Sequence, residues 1–345
     1  MTDFQWQQLL RVVRGEILEP APVGFIIDSP WLAAWAGMSV MDYFTDDHAW
    51  LASNLRAQRE FPDVLFLPGF WAEYGMCTEP SAFGAKSIWP ENDFPFAARM
   101  LADYDDVARL KKPDCRTDGM CPFVIKRLEH HQRQINEAGH AIRFAISRGP
   151  MNIATYLLGH TETLIGVKTN PEEVHKLLAL VTDFVVDWLQ WQAKRFPTID
   201  GILVLDDLIG FLGEADFCQF ALPYFQRIFQ SLNVSVKALH NDCHGIITAR
   251  HLAEMGVNLF NFSYEHSLPQ MRQAAGESVV LLGNIPPRDV LARGTPDDVR
   301  QSVRQALASL PDRRRLILSA GGGTPPGVTS ANLQAFCDAA WGRSG

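Results

Sequence analysis

The sequence predicts an α/β chain folded as a (β/α)8 TIM barrel, with an irregular N-terminal part and a long loop after the second strand. Three observations predict it. Eight short apolar runs rich in β-branched residues recur along the chain, stretches of helical periodicity separate them, and polar ionisable residues follow most of them. Strands that alternate with helices pair in parallel through right-handed crossovers, and a barrel is the closure that eight such units commonly find. An open doubly wound sheet shares the alternation, but no GxGxxG follows the first run, which speaks against its dinucleotide-binding form. The 345 residues suit one barrel domain over 1–345, without linker, repeat or low-complexity segment.

The runs, in order, are Val23–Ile27, Val64–Leu67, Ile142–Ile146, Ile202–Leu205, Val236–Leu239, Leu259–Phe262, Val279–Leu282 and Leu316–Leu318. The clearest helix follows Asn170, which can cap it. Pro171 suits its first turn, and Glu172 and Glu173 suit the positive end of its dipole. Val174, Leu177, Leu178, Val181, Phe184, Val185, Trp188 and Leu189 form one apolar stripe, and Phe196-Pro197 stops it. Thr295-Pro296-Asp297-Asp298 repeats this start before Val299–Leu310, and shorter helices fit His251–Glu254, Met271–Ala275 and Leu333–Ala340. The segment from Phe70 to Pro95 is rich in Gly, Pro and aromatics and reads as a long loop over the barrel mouth. Within it, Trp71, Tyr74, Phe83 and Trp89 could line an apolar pocket.

Composition narrows the function. The chain is 47% hydrophobic and 20% charged, with a net charge of −8. It has no basic block, so nucleic acid is not expected as a partner. No run approaches the ~18 apolar residues of a membrane span. The amphipathic stretch Met1–Glu19 lacks the apolar core of a signal peptide. Six cysteines (77, 115, 121, 218, 243 and 337) form no CxxC and no dense framework, which reads as reduced thiols in the cytoplasm. All but Cys243 default to buried apolar or inert surface positions.

Barrel chemistry gathers at the C-terminal ends of strands. Here the ends run into Asp28-Ser29-Pro30; Pro68-Gly69-Phe70 with Glu73, Cys77 and Glu79 beyond; Ser147-Arg148-Gly149-Pro150 with Asn152 and Tyr156; Asp206-Asp207; His240-Asn241-Asp242-Cys243-His244; Ser263-Tyr264-Glu265-His266; Gly283-Asn284; and Gly321-Gly322-Gly323. Asp206-Asp207 is either a cap for the next helix or an acid/base pair whose mutual repulsion raises one pKa. The His240–His244 segment carries imidazole, carboxylate and thiolate, all able to bind zinc, but at no closed-site spacing. It is either an open catalytic metal site or a polar strand end in which His240 bonds a neighbouring carboxylate. The triple glycine allows a ligand to approach the backbone closely.

Several motifs together resemble the uroporphyrinogen decarboxylase superfamily, which also contains the corrinoid-linked methyltransferases. They are Gly149-Pro150 with Thr155-Tyr156, Leu205-Asp206-Asp207 followed by Ala221-Leu222-Pro223-Tyr224, Leu282-Gly283-Asn284-Ile285 with Pro287, Gly294-Thr295-Pro296, and the stretch from Leu318 to Asn332. The resemblance covers nearly the whole chain. It implies a (β/α)8 barrel with a cleft at the strand ends and a tyrosine, Tyr156, in reach of substrate. The decarboxylases hold a substrate rich in carboxylates with an arginine-bearing N-terminal arm. Here no arginine occurs between Arg14 and Arg56, and many carboxylates are not desolvated without cations. The methyltransferase branch carries His-x-Cys after strand five and a second Cys after strand eight, which bind zinc and hold a thiolate. In this chain His240 fits, Asp242 takes the first Cys position with Cys243 one residue late, and Gly322 takes the second.

The resemblance therefore implies, first, an enzyme that moves a methyl group between a corrinoid (protein-bound cobalamin) and a small molecule or thiol, with metal assistance. His240 with Asp242 or Cys243 would bind zinc; Asp206, Asp207, Tyr156 and Glu79 would do the catalytic work; and Arg148, Asn152, Tyr264, Asn284 and Gly322 would line the substrate site. A metal-free decarboxylase of a small or tetrapyrrole-like carboxylate is the alternative. An inactive corrinoid- or tetrapyrrole-binding barrel is the third. The expected partners are a small-molecule substrate and a corrinoid protein, with a homodimer as an assembly the chain allows.

Overall fold

The computed structural model describes residues 1–27 and 29–343; Asp28 lies outside them, as does the Ser29 side chain. Eight barrel strands follow the predicted order: β1 (Gly24–Ile26), β2 (Leu65–Leu67), β3 (Phe144–Arg148), β4 (Gly201–Leu205), β5 (Val236–Asn241), β6 (Leu259–Phe262), β7 (Val280–Ile285) and β8 (Leu316–Ala320). Strands β3 to β8 form one parallel sheet in chain order, and β1 and β2 form a parallel pair. That pair joins β8 through the bridge between Val23 and Leu318, where the Leu318 amide donates to Pro22 O at 2.9 Å.

Four of the strands run further toward their C-termini than the apolar runs. β3, β5, β7 and β8 continue through Arg148, through His240-Asn241, through Gly283–Ile285 and through Ser319-Ala320. The sheet ladder is a backbone interaction, so it does not end where the side chains turn polar. Residues assigned by sequence to loops are thereby held on strands. The predicted cap Asn170 forms no side-chain cap bond, although its helix spans Pro171–Arg195 with the whole predicted stripe buried. The stretch 70–95 is not one open loop: it holds a helix at Thr78–Ala82 and the first strand of a small hairpin, Ser87-Ile88 with Phe96-Ala97.

Between β2 and β3 no strand pairing occurs among the described residues. β2 is only three residues long, and side chains take over the exposed edge of β3. Gln192, on the helix Pro171–Arg195, accepts from the Ile146 amide at 2.9 Å and donates to its carbonyl at 2.8 Å. Two residues along, Glu79 accepts from the Arg148 amide at 2.9 Å. Residues i and i+2 of a strand face the same neighbour, so one amide and one carboxylate side chain stand in for a strand partner. Replacing Gln192 with leucine strands both Ile146 groups. A loss of about 2–6 kcal/mol is expected in chemical denaturation, from about 1–3 kcal/mol per unpaired group. Faster amide exchange at Ile146 localises it; unchanged exchange there would refute the assignment.

The barrel interior is filled from alternate residues. Ile26, Leu65, Leu67, Phe144, Leu203, Leu205, Val236, Ala238, Leu259, Val280, Leu282 and Ile317 pack together with Trp6, Leu9 and Val12 of the helix Asp3–Val13. That helix plugs the end where the strands begin. Its Gln5 donates to the carbonyls of Pro62 and Val64, at 2.9 and 3.2 Å. A larger apolar shell packs the other helices against the outside of the strands. No helix among the described residues is long and apolar enough to cross a membrane.

Candidate active site

The alternation that fills the interior also builds the site. Ala238 and Leu259 face inward, so His240 and Asn261, two residues on, face inward one layer higher. The same step places Arg148 above Phe144 and Ile146, Asn284 above Leu282, and Ser319 above Ile317. The register sets His240 opposite both Leu205 and Asn261, and Asn284 opposite Ser319. The apolar core thus ends in a polar layer where the strands end.

His240 is the centre of that layer and is 6% exposed. Its Nδ1 lies 2.7 Å from Asn261 Oδ1. Asn261 Nδ2 donates to the carbonyls of Leu282 and Ala320, at 2.8 and 3.2 Å, which fixes its oxygen as the acceptor. In the neutral ring, His240 Nδ1 must therefore carry the proton and Nε2 presents a lone pair. Nε2 lies 3.7 Å from Asp207 Oδ1 and 4.0 Å from Asp242 Oδ2. The Asp242 amide also donates to Asp207 Oδ1 at 3.0 Å. Desolvation raises the Asp207 carboxyl to about 6, with His240 lowering it and Asp242 raising it further.

Donor atoms of Asp207, His240 and Asp242 all lie within 4.8 Å of one another. Bonds of ~2.0–2.2 Å place neighbouring ligand atoms roughly 3.0–3.6 Å apart, so small rotations would bring these three onto one divalent ion. The fixed tautomer is what a metal-bound histidine needs from its second hydrogen bond. One nitrogen and two carboxylates make a harder set than one with thiolates. The sequence expectation is corrected in one member: Cys243 is not in this group, and Asp207 is. His240 and Asp242 are i and i+2 and share a side, whereas Cys243 is displaced from them and its amide donates to Asn241 Oδ1 at 2.9 Å. Gly322, at φ +124°, lies against Asp242; a Cβ there would meet the Asp242 Cβ and Oδ2 at 3.1 Å. A backbone glycine beside a carboxylate thus stands where the resemblance implies a cysteine pair.

A divalent ion bound here at low pH would displace a proton, since a ligating carboxylate has to be ionised. Asp207 is protonated below about pH 6. Affinity for a divalent ion is therefore expected to fall as pH drops through that value. Calorimetric titration at about pH 5 and about pH 7.5 in two buffers checks the direction and the proton release; pH-independent affinity would contradict it.

Asp206 has a different task. It is fully buried, and its carboxylate accepts from the amides of Met151 (2.9 Å) and Asn152 (3.2 Å), the first turn of the helix Pro150–Leu158. It caps a helix, but the one after β3 rather than the next along the chain. Burial raises its carboxyl to about 8 against those amides, which favour the anion. Gly149 is required beside it, because a Cβ there would lie 2.3 Å from Asp206 Oδ2. Asn152 is likewise structural: its Nδ2 donates to Leu205 O at 3.4 Å and its Oδ1 accepts from the Leu208 amide at 3.3 Å.

Arg148 donates to Glu73 Oε2 at 2.5 Å and lies 3.8 Å from Glu79 Oε2, all three buried. Burial opposes its charge, and Glu73, Tyr156 and Glu79 outweigh that and hold it protonated. Tyr156 adjoins Arg148 and Asp207; burial pushes its phenol well above the ordinary value, Arg148 pulling the other way, so it is a neutral donor. Glu79 is held by the Arg148 amide and Ser147 Oγ, a place beside the seam and not in the metal-capable group. Asn284 donates to His266 O at 2.5 Å and steadies the loop after β6, where Tyr264 is 46% exposed. Sequence reading missed Asn261 altogether. A polar residue inside the apolar run Leu259–Phe262 was the signal.

Residues 5–342 match the family model described as uroporphyrinogen decarboxylase (URO-D), and the chain belongs to that family. A uroporphyrinogen decarboxylase from Dichelobacter nodosus is 25% identical over 96% of this chain and 95% of its own. One from Xanthomonas campestris is 28% identical over 67% of this chain and 66% of its own. Among solved structures, a methyltransferase from Methanosarcina mazei superposes with a TM-score of 0.81 at 17% identity, covering 97% of this chain and 98% of its own. A B12-independent methionine synthase from Shewanella has a TM-score of 0.58 at 13% identity, over 94% and 97%. These likenesses support the α/β barrel architecture. Members of the family are enzymes.

Proposed function

We propose that the protein is a metal-assisted methyltransferase, moving a methyl group between a protein-bound corrinoid and a small molecule or thiol. The observation that carries this reading is the fixed tautomer of His240, which turns a lone pair toward Asp207 and Asp242 at the strand ends. These three side chains would hold the ion, zinc or a harder divalent metal. The ion would supply Lewis acidity, lowering the pKa of a bound thiol or hydroxyl.

The chain's own groups do the rest. Asp207 and Asp242 stay ionised while they hold the ion, so the proton of an attacking thiol leaves to solvent. Tyr156 keeps its proton and donates a hydrogen bond that orients the substrate. Tyr264 offers an exposed aromatic face at the rim to a large planar corrinoid. Asp206 holds the helix that carries Tyr156 in place.

The family's decarboxylases make carboxylate chemistry the second reading. Against it stands charge: the arginine of the site, Arg148, is already held by Glu73 and Glu79. A polycarboxylate would enter a mouth lined by Asp207 and Asp242 with little cationic help. Incubating the protein with methylcobalamin and a panel of thiols, and with a porphyrinogen carboxylate, separates the readings. We expect methylated product without CO2. Release of CO2 without methyl transfer would establish the decarboxylase instead, and corrinoid binding without turnover would point to a binding barrel.

A further inference from the structure

A second set of metal-capable side chains lies on the outer helices, away from the strand-end site. Glu214 and Cys218 are one turn apart on the helix Glu214–Phe220, and His251 projects from the neighbouring helix Ile246–Met255. Donor atoms of the three lie within 4.8 Å of one another. His251 Nε2 is 2.7 Å from Glu214 Oε1 and 3.9 Å from Cys218 Sγ. Zinc bonds of ~2.0 Å to nitrogen and oxygen and ~2.3 Å to sulfur span ligand separations of about 3.3–3.6 Å, so these distances bracket a tetrahedral set.

Two of the three ligands are also held from behind. His251 Nδ1 lies 3.0 Å from Glu254 Oε1, the carboxylate–histidine arrangement that fixes a tautomer and raises ligand basicity. Phe217 stacks on the same ring at 5.2 Å and sets its plane. Glu214 accepts from Arg250 through its other oxygen, Oε2, at 3.2 Å, leaving Oε1 toward His251. By contrast, in the rim trio of His244, Glu265 and His266, His266 Nε2 is occupied by the Gly245 amide.

We propose that Glu214, Cys218 and His251 bind a zinc-class dication that clips the helix after β4 to the helix after β5, with a fourth position open to solvent. Imidazole, thiolate and carboxylate together select a borderline ion over calcium or magnesium. The competing occupant of this space is a proton: an imidazolium of His251 bridging Glu214 and Glu254.

The test titrates Co2+ into chelator-treated full-length His240→Ala protein, which removes the strand-end site. One equivalent is expected to bind with a cobalt–thiolate charge-transfer band. Cys218→Ser should abolish the band, and His251→Gln should abolish binding. Cys243→Ser should leave both intact. Glu254→Gln should weaken binding about 10–100-fold. Cys218 is exposed, and an unchanged metal-free melting temperature in its variant excludes loss of fold. If no ion binds, or if the band survives Cys218→Ser, His251 is only an imidazolium between two glutamates and the proposal fails. Because the strand-end site is disabled throughout, the outcome is independent of the methyltransferase reading.

Discussion

Replacing His240 with alanine is expected to weaken divalent-metal binding at the barrel mouth by about 100-fold or more, and methyl transfer with it. The neutral Nε2 is the nitrogen donor of the set, and without it two carboxylates face one another alone. The fold should persist, because the ring sits in the top layer of the barrel and its hydrogen-bond partner is Asn261. Asn261→Ala is the milder partner experiment. It releases the tautomer without removing a ligand, and a 10–100-fold loss of affinity is the usual scale for such supporting groups. Calorimetry or equilibrium dialysis on the two variants reads the order; equal affinity in wild type and His240→Ala would contradict the assignment.

The second large effect is on stability. Asp206→Ala should cost about 2–6 kcal/mol in chemical denaturation, since two buried amides lose their acceptor at about 1–3 kcal/mol each. The carboxylate also lies at the positive end of the helix Pro150–Leu158, a position that favours its charge. Asp206→Asn keeps one acceptor oxygen and should lose less. Gly149→Ala should resemble Asp206→Ala, because its Cβ would occupy the space of Asp206 Oδ2. The two changes disrupt one contact, so their double variant should cost clearly less than the sum. A catalytic Asp206 predicts the opposite: full stability with lost turnover.

The order of strands and helices was legible because it rests on local periodicity. Val174 to Leu189 and the eight apolar runs each carry their pattern within a few residues. The reach of the strands was not, since β5 continues through His240 and Asn241 by backbone pairing alone. The open seam was also hidden. It is filled by Gln192 and Glu79, which are far from Ile146 and Arg148 in the chain.

The site was legible in its neighbourhood but not in its roles. Asp206 and Asp207 are adjacent in sequence, yet one turns back to cap a helix and the other faces His240. Choosing between them needed the direction of each side chain. Period-two alternation carried past the apolar run would have paired His240 with Asp242 and set Cys243 aside. Applied to Leu259–Phe262, it would also have found Asn261. Gly322 follows the same logic, because its meaning depends on Asp242 across the barrel mouth.

The most direct test of the central claim is single-turnover methyl transfer from methylcobalamin to a thiol, followed by loss of the methyl–cobalt absorbance. It compares chelator-treated protein before and after one equivalent of divalent metal is restored, in wild type and in His240→Ala. The account predicts methyl loss in the restored wild type and in none of the other three samples. Equal methyl loss in the chelated and restored wild type, or in His240→Ala, would contradict it.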